Sequence, residues 1–172
     1  SKVFEESIYE DLEWLKIKYS KDVRNQSNHM EDYQAAIKEL QKLDMVYPCF
    51  CSRSEIKSEI ARAGNAPHEE ESSIYPGTCR RLSKDERVEK ISKENSFAWR
   101  LNIRAASKKI GNLVWQDLRL GLHTVPVGTM GDVVLARKDV PTSYHLSATL
   151  DDHIQRIGLV TRGEDLVSST HI

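Results

Sequence analysis

The sequence predicts an α/β fold, and three observations carry that expectation. Apolar residues recur at helical spacing through the N-terminal part of the chain. The period drops to two near residue 97, the mark of a strand with one buried face. Between residues 47 and 110 short apolar and polar runs hold all the cysteines and break the pattern, which reads as an inserted subdomain.

Taken in order, Phe4, Ile8, Leu12 and Leu15 form one apolar stripe on a helix. Met30, Tyr33, Ile37, Leu40 and Leu43 keep that period in a second helix beginning near Ser27, whose apolar face should pack on a core. Tyr47 to Cys51 is short, aromatic and apolar, and suits a strand. Ser52-Arg53-Ser54-Glu55 has the form of a capping box: the serine oxygen takes an orphan backbone N–H while the glutamate reaches back. The helix it opens carries Ile56, Ile60 and Ala63 on one face and Gly64 as its stop. Asn65 to Ser73 is polar and acidic and reads as a mobile loop. Ser83-Lys84-Asp85-Glu86 is a second capping box, ahead of a helix to about Ser92. Phe97, Trp99, Leu101 and Ile103 then alternate with polar or small residues as a half-buried strand. Val114 to Leu118 and Asp132 to Arg137 are further strands, Leu146 to Ile154 a helix, and Ile157 to Thr161 an apolar, β-branched run.

A length of 172 residues fits one domain, or one domain with a small insertion. An apolar fraction of 39% is enough for a core and argues against wholesale disorder. The charges nearly cancel, at a formal net of -1, so nothing attracts phosphate globally. A nucleic-acid partner would need a local basic patch, and Arg80, Arg81, Lys84 and Arg87 are the candidates. No run of 18 apolar residues is present to span a membrane, and the first residues lack the apolar stretch of a signal peptide. Three cysteines make an odd count for a disulfide framework, so a reducing cytoplasm is the simpler setting.

Chemically, Cys49-Phe50-Cys51 and Tyr75-Pro76-Gly77-Thr78-Cys79 stand out. Zinc prefers thiolate and imidazole, and a structural site takes four ligands in a tetrahedron. Three thiols are available, two local and one across a loop. No histidine adjoins Cys79; His68 lies in the loop, and Tyr75 is four residues ahead of the last cysteine. A tyrosine oxygen is an unusual ligand that the metal must help to ionise. Spacing alone leaves a zinc site and three reduced, metal-free cysteines both open. Asp151-Asp152-His153 does not form a metal site, because adjacent helical residues point about 100° apart.

Tyr47-Pro48-Cys49-Phe50-Cys51-Ser52-Arg53 and Tyr75-Pro76-Gly77-Thr78-Cys79-Arg80 resemble the zinc-binding insertion of the glutamyl-tRNA synthetase family. Pro141-Thr142-Ser143-Tyr144-His145-Leu146, Asp151-Asp152-His153, Val160-Thr161-Arg162-Gly163-Glu164-Asp165-Leu166 and Ser168-Ser169-Thr170 are similar to its catalytic half in order and spacing. Glu6 to Leu15 resembles the helix ahead of the insertion, so the resemblance covers essentially the whole chain. It implies a class I, Rossmann-type catalytic domain with a zinc-binding α+β insertion. The helical part of that domain would occupy 1–46, the insertion 47–110, and the second part of the domain 111–172. Cys49, Cys51, Tyr75 and Cys79 would hold one structural Zn2+, and Tyr144 and Arg162 would contact L-glutamate. A fork-shaped guanidinium suits a carboxylate, and a phenol fixes orientation without adding charge.

Within the family, the zinc-type enzymes that charge tRNA(Glu) commonly carry a histidine just after the last cysteine, where Arg80 stands here. A shorter branch uses the tyrosine instead. Arg-Gly-Glu-Asp-Leu at 162–166 and Ala148 also resemble that branch. It activates L-glutamate with ATP, Mg2+ being expected, and attaches it to queuosine in the anticodon of tRNA(Asp). A cytoplasmic monomer is expected. The alternatives are a fragment of a conventional glutamyl-tRNA synthetase and a zinc-binding, non-catalytic module derived from one. The family's His-Ile-Gly-His-type segment and Lys-Met-Ser-Lys-Ser-like loop are not among these residues. The expectation is that the 172 residues alone do not form the adenylate.

Overall fold

The computed structural model describes residues 2–20, 22–62, 74–94, 96–127 and 130–172. Ala63, Gly64, His68 and the Asn65–Ser73 stretch lie outside the described residues, as does the side chain of Ile60. The chain opens with two helices, α1 (Lys2–Trp14) and α2 (Met30–Lys42). There follow β1 (Val46–Cys49), α3 (Arg53–Arg62), α4 (Lys84–Lys93), β2 (Ala98–Leu101), α5 (Ile103–Ile110), β3 (Val114–Asp117), β4 (Gly121–Thr124), β5 (Val134–Arg137) and α6 (Tyr144–Ile154).

Local chemistry explains most of these boundaries. Glu31 and Asp32 occupy the first turn of α2 and Lys42 its last, each favourable to the helix dipole. Both capping boxes form. Glu55 N–H donates to Ser52 Oγ at 3.2 Å, and Ser52 N–H donates to Glu55 Oε2 at 2.6 Å. The same exchange joins Ser83 and Glu86 at 3.2 and 2.7 Å. The α1 stripe exists, but no residue of α1 is buried, and Phe4 is 72% exposed.

The strand expected through Ile103 stops at Leu101. Asn102 caps a helix instead, its side chain accepting from Ala105 N–H, and Ile103 is the buried first residue of α5. The hairpin partner β4 was not anticipated. It forms because Asp117 Oδ1 accepts from Arg119 and Leu120 N–H, turning the chain back after β3. Ile157 to Thr161 is irregular.

One sheet has the order β1-β2-β5, and β3 with β4 makes a separate hairpin. Every strand pairing among the described residues is antiparallel, so the parallel strands of a Rossmann-type core are not among them. The architecture present is mixed α/β. All four residues of β1 are buried, because the strand is covered on both faces. Val46 faces a core of Tyr33 and Ile37 from α2, Leu135 and Ala136 from β5 and Leu146 from α6. Tyr47 and Cys49, two residues apart, face a second cluster with Tyr75 and Cys79.

Asp151 pins α6 to the N-terminal half. Its carboxylate accepts from Tyr33 Oη at 2.8 Å, Arg24 Nε at 2.7 Å and Gln26 Nε2 at 2.9 Å. No helix of the described residues is long and apolar enough to cross a membrane.

Candidate functional site

The end of β1 delivers Cys49 and Cys51 to one side of a turn whose other side holds Tyr75 and Cys79. Gly77 makes that turn at φ +80°, a left-handed conformation that favours glycine. A Cβ there would also stand 2.6 Å from the Arg80 guanidinium. The chain then runs through a single 3-10 turn, Thr78–Arg81, which carries Cys79 inward.

Four donor atoms meet as a result. The Cys49, Cys51 and Cys79 sulfurs all lie within 4.8 Å of one another. Cys51 Sγ is 3.4 Å from Cys79 Sγ, and Tyr75 Oη is 3.3 Å from Cys49 Sγ and 3.6 Å from Cys51 Sγ. Donors around a tetrahedral zinc with bonds of about 2.3 Å stand roughly 3.7 Å apart, so the spacing fits one ion. The cysteines are unbridged. Backbone N–H groups support the cluster: Cys79 N–H donates to Tyr75 Oη at 2.9 Å and Phe50 N–H to Cys79 Sγ at 3.4 Å.

Protonation follows from these bonds. The neighbouring Cys49 thiol pulls Cys79 down to about 7 against the opposing effect of burial. The proximity of Cys79, with burial, pushes Cys49 up. Burial raises Cys51 and Tyr75 as well. Cys79 is therefore the donor readiest to lose its proton, while the other three need a cation to do so.

Behind the cluster stands a residue that sequence reasoning did not single out. Asp132 has a fully buried carboxylate, which accepts from Tyr47 Oη and Arg80 Nη1, each at 2.5 Å, and from Ile103 N–H at 3.1 Å. Arg80 is thereby turned inward. Arg87 is also committed, donating to the Arg80 carbonyl at 2.8 Å and lying over the Tyr47 ring. Of the anticipated basic patch only Arg81 and Lys84 face solvent.

Tyr144 and Arg162 are brought together although they stand 18 positions apart in the sequence. The Arg162 guanidinium carbon is 5.8 Å from the centre of the Tyr144 ring, and Nη1 donates to Thr170 Oγ1 at 3.1 Å. Tyr144 is 50% exposed. A guanidinium has five N–H donors, so most of its capacity stays open. His145, one residue on, is held below its ordinary value by burial and then by the Arg162 charge, so it is neutral at physiological pH. Asp151, Asp152 and His153 do not converge: Asp151 is buried on Arg24, and His153 is exposed.

Two clefts lie alongside. An apolar one of about 580 Å³ is lined by Leu40, Leu101, Ile103 and Leu150. A more polar one of about 820 Å³ reaches Arg53, Lys57, Tyr75 and Arg100. His145 and His171 border both, while Tyr144 and Arg162 line neither.

The model for tRNA synthetases class I (E and Q), catalytic domain, matches residues 1–172. A glutamyl-Q tRNA(Asp) synthetase from Rhodobacter capsulatus is 36% identical over 174 residues, covering 98% of this chain and 62% of that protein. A glutamate–tRNA ligase from Hydrogenobaculum sp. is 33% identical, covering 99% of this chain and 35% of that protein. A crystal structure of a glutamate tRNA ligase from Elizabethkingia meningosepticum, in complex with its amino acid, superposes with a TM-score of 0.75 at 23% identity. It covers 97% of this chain and 35% of that one, a likeness that speaks for the fold. The chain thus spans 62% of the Rhodobacter relative and about a third of the two ligases. Its full-length match to the family model, with these relatives, places the chain among the class I tRNA synthetases of the E and Q type, within their catalytic domain.

Proposed function

We propose that this chain is part of an enzyme that activates L-glutamate with ATP and Mg2+ and attaches it to queuosine in the anticodon of tRNA(Asp), working in the cytoplasm as a monomer. The observation that carries this reading is Tyr75. Its phenol takes the fourth corner of the sulfur cluster, 3.3 Å from Cys49 Sγ, where the tRNA(Glu)-charging enzymes would offer a histidine after Cys79. The 36% identity to a glutamyl-Q tRNA(Asp) synthetase supports the same branch.

In this reading Cys49, Cys51, Tyr75 and Cys79 hold one Zn2+. With four protein donors and no open position the ion is structural, fixing the geometry of the turn around Gly77. Arg162 receives a glutamate carboxylate on the N–H groups that Thr170 leaves free, and the Tyr144 hydroxyl orients it. The neutral His145 beneath them adds no competing charge.

A second reading, charging of tRNA(Glu), is favoured by the 33% identity to a glutamate–tRNA ligase. The experiment uses the intact reading frame with ATP and labelled glutamate, offered queuosine-containing tRNA(Asp) and tRNA(Glu) separately. Label on tRNA(Asp) alone supports the first reading, and label on tRNA(Glu) supports the second. Label on neither, with working controls, sinks both and leaves the non-catalytic module.

A further inference from the structure

Arg100 sits in the middle of β2, directly opposite Tyr47 in the strand register. Opposed residues share a face, so its side chain leaves the sheet on the side of Tyr47 and Cys49. The guanidinium carbon lies 4.0 Å from the centre of the Tyr75 ring, and Nη1 donates to the Asp132 carbonyl at 2.7 Å. Its Nε is buried with no hydrogen-bond partner among the described residues. Among the described residues no carboxylate comes within ion-pair distance of Arg100. The neighbouring cations are already matched, Arg80 by Asp132 and Lys90 by Glu94. A partly buried guanidinium gains from a negative charge placed beside it.

The sulfur cluster has the opposite imbalance. Three thiolates and a phenolate around a divalent ion place four negative charges against two positive ones. A histidine in the fourth corner would remove one of the excess negative charges. The surplus sits where the cation is: the Arg100 guanidinium lies over the ring of Tyr75, the donor that adds the extra negative charge.

We propose that Arg100 is the outer-sphere counter-cation of the Cys49–Cys51–Tyr75–Cys79 site, a positioning residue that lets a tyrosine take the fourth corner in place of a neutral histidine. The inference rests on the metal-site reading above and goes beyond it by assigning a residue outside the donor set. It also gives a role to a half-buried charge that meets no carboxylate among the described residues. Removing an outer-shell partner of this kind weakens metal binding by about 10–100-fold.

The test measures Zn2+ affinity of the full chain by competition with a chromophoric chelator at one fixed pH. Co2+ spectra report thiolate ligation. Arg100→Gln is the main variant, because it removes the charge and keeps a polar side chain at the position; Arg100→Met is the second, in case the first does not fold. Each is made in the native background and in Tyr75→His. The expected result is a loss of about 10–100-fold with Tyr75 present and a clearly smaller loss with Tyr75→His, where the donor set carries one negative charge fewer. Equal losses in the two backgrounds would reduce Arg100 to a packing residue and overturn the proposal, as would no loss in either. A native chain that binds Zn2+ tightly while Arg100→Gln is silent leaves the metal site standing without Arg100. A native chain that binds neither Zn2+ nor Co2+ removes the metal site and this role together.

Discussion

The sulfur cluster and the Tyr144–Arg162 pair differ in how much of their bonding is spent. Around the cluster each donor has partners: backbone N–H groups hold Tyr75 Oη and Cys79 Sγ, and the Asp132 network clamps the strands behind it. At Arg162 one hydrogen bond is present among the described residues, to Thr170, and Tyr144 stands half in solvent. A site that must not move is saturated and buried. A site that must receive something keeps donors open and hydrated, and gives up stability to do so. In the proposed reading, the difference is that between a scaffold and a binding surface.

The sharpest way to break that contrast is to attack the saturated side. Asp132→Ala leaves Arg80 and Tyr47 without their acceptor in the interior, and should lower folding stability by about 3–5 kcal/mol, read by denaturant unfolding. A change near zero would mean that the cluster does not depend on its clamp. The open side should respond in the opposite sense. Arg162→Ala should move stability by no more than about 0.5 kcal/mol, while in the intact reading frame the KM for glutamate rises about 10–100-fold, as a lost charge-assisted bond predicts. A large stability loss without a change in KM would make Arg162 structural.

Asp151 gives a pH signature to the buried regime. Burial pushes its carboxyl up, but the hydrogen bonds from Arg24, Tyr33 and Gln26 outweigh that and hold it below the usual carboxylate range. A group with a depressed folded-state value stabilises fully above its unfolded value of about 3.9, and loses that contribution as pH falls through the lower folded one. Acid titration of native stability should therefore steepen below about pH 4, and Asp151→Asn should flatten that slope. An unchanged slope would count against the network. The smallest effect expected is at the surface: Ser83→Ala removes the N-cap bond to Glu86 N–H and should cost about 1 kcal/mol, measurable in the same unfolding curves.

Much of this was readable because it is local. The capping serines, the helical period through Tyr33 and Ile37, and the cysteine spacing each depend on residues close in the chain. Where the reading slipped, a local signal was ambiguous. Ile103 extends the alternation begun at Phe97, yet Asn102 can cap, and Ile103, Ala106 and Ile110 fall at helical spacing, so the helix prevailed. The hairpin strand β4 was hidden by the apolar run around its turn, whose signal was Asp117 accepting from the two N–H groups ahead of it. Asp132 and Arg100 escaped for a deeper reason. Their partners, Tyr47, Arg80 and Tyr75, lie 25 to 85 residues away in sequence, and the pairing of β2 with both β1 and β5 is what brings Asp132 and Arg100 to Tyr47. A charged residue inside a short apolar strand was the visible hint.

The four-residue strand β1 has a mechanical consequence. Val46 belongs to one packed cluster and its neighbour Tyr47 to the other, so neither cluster has a wall of its own on that side. The two behave as rooms built on a common partition. A shift of the strand by one residue would exchange their furnishings and ruin both, so alternative registers are excluded twice over. Amide protons along that partition should report on both clusters at once, which makes the strand the place where an event at the sulfur atoms is felt by α2 and α6.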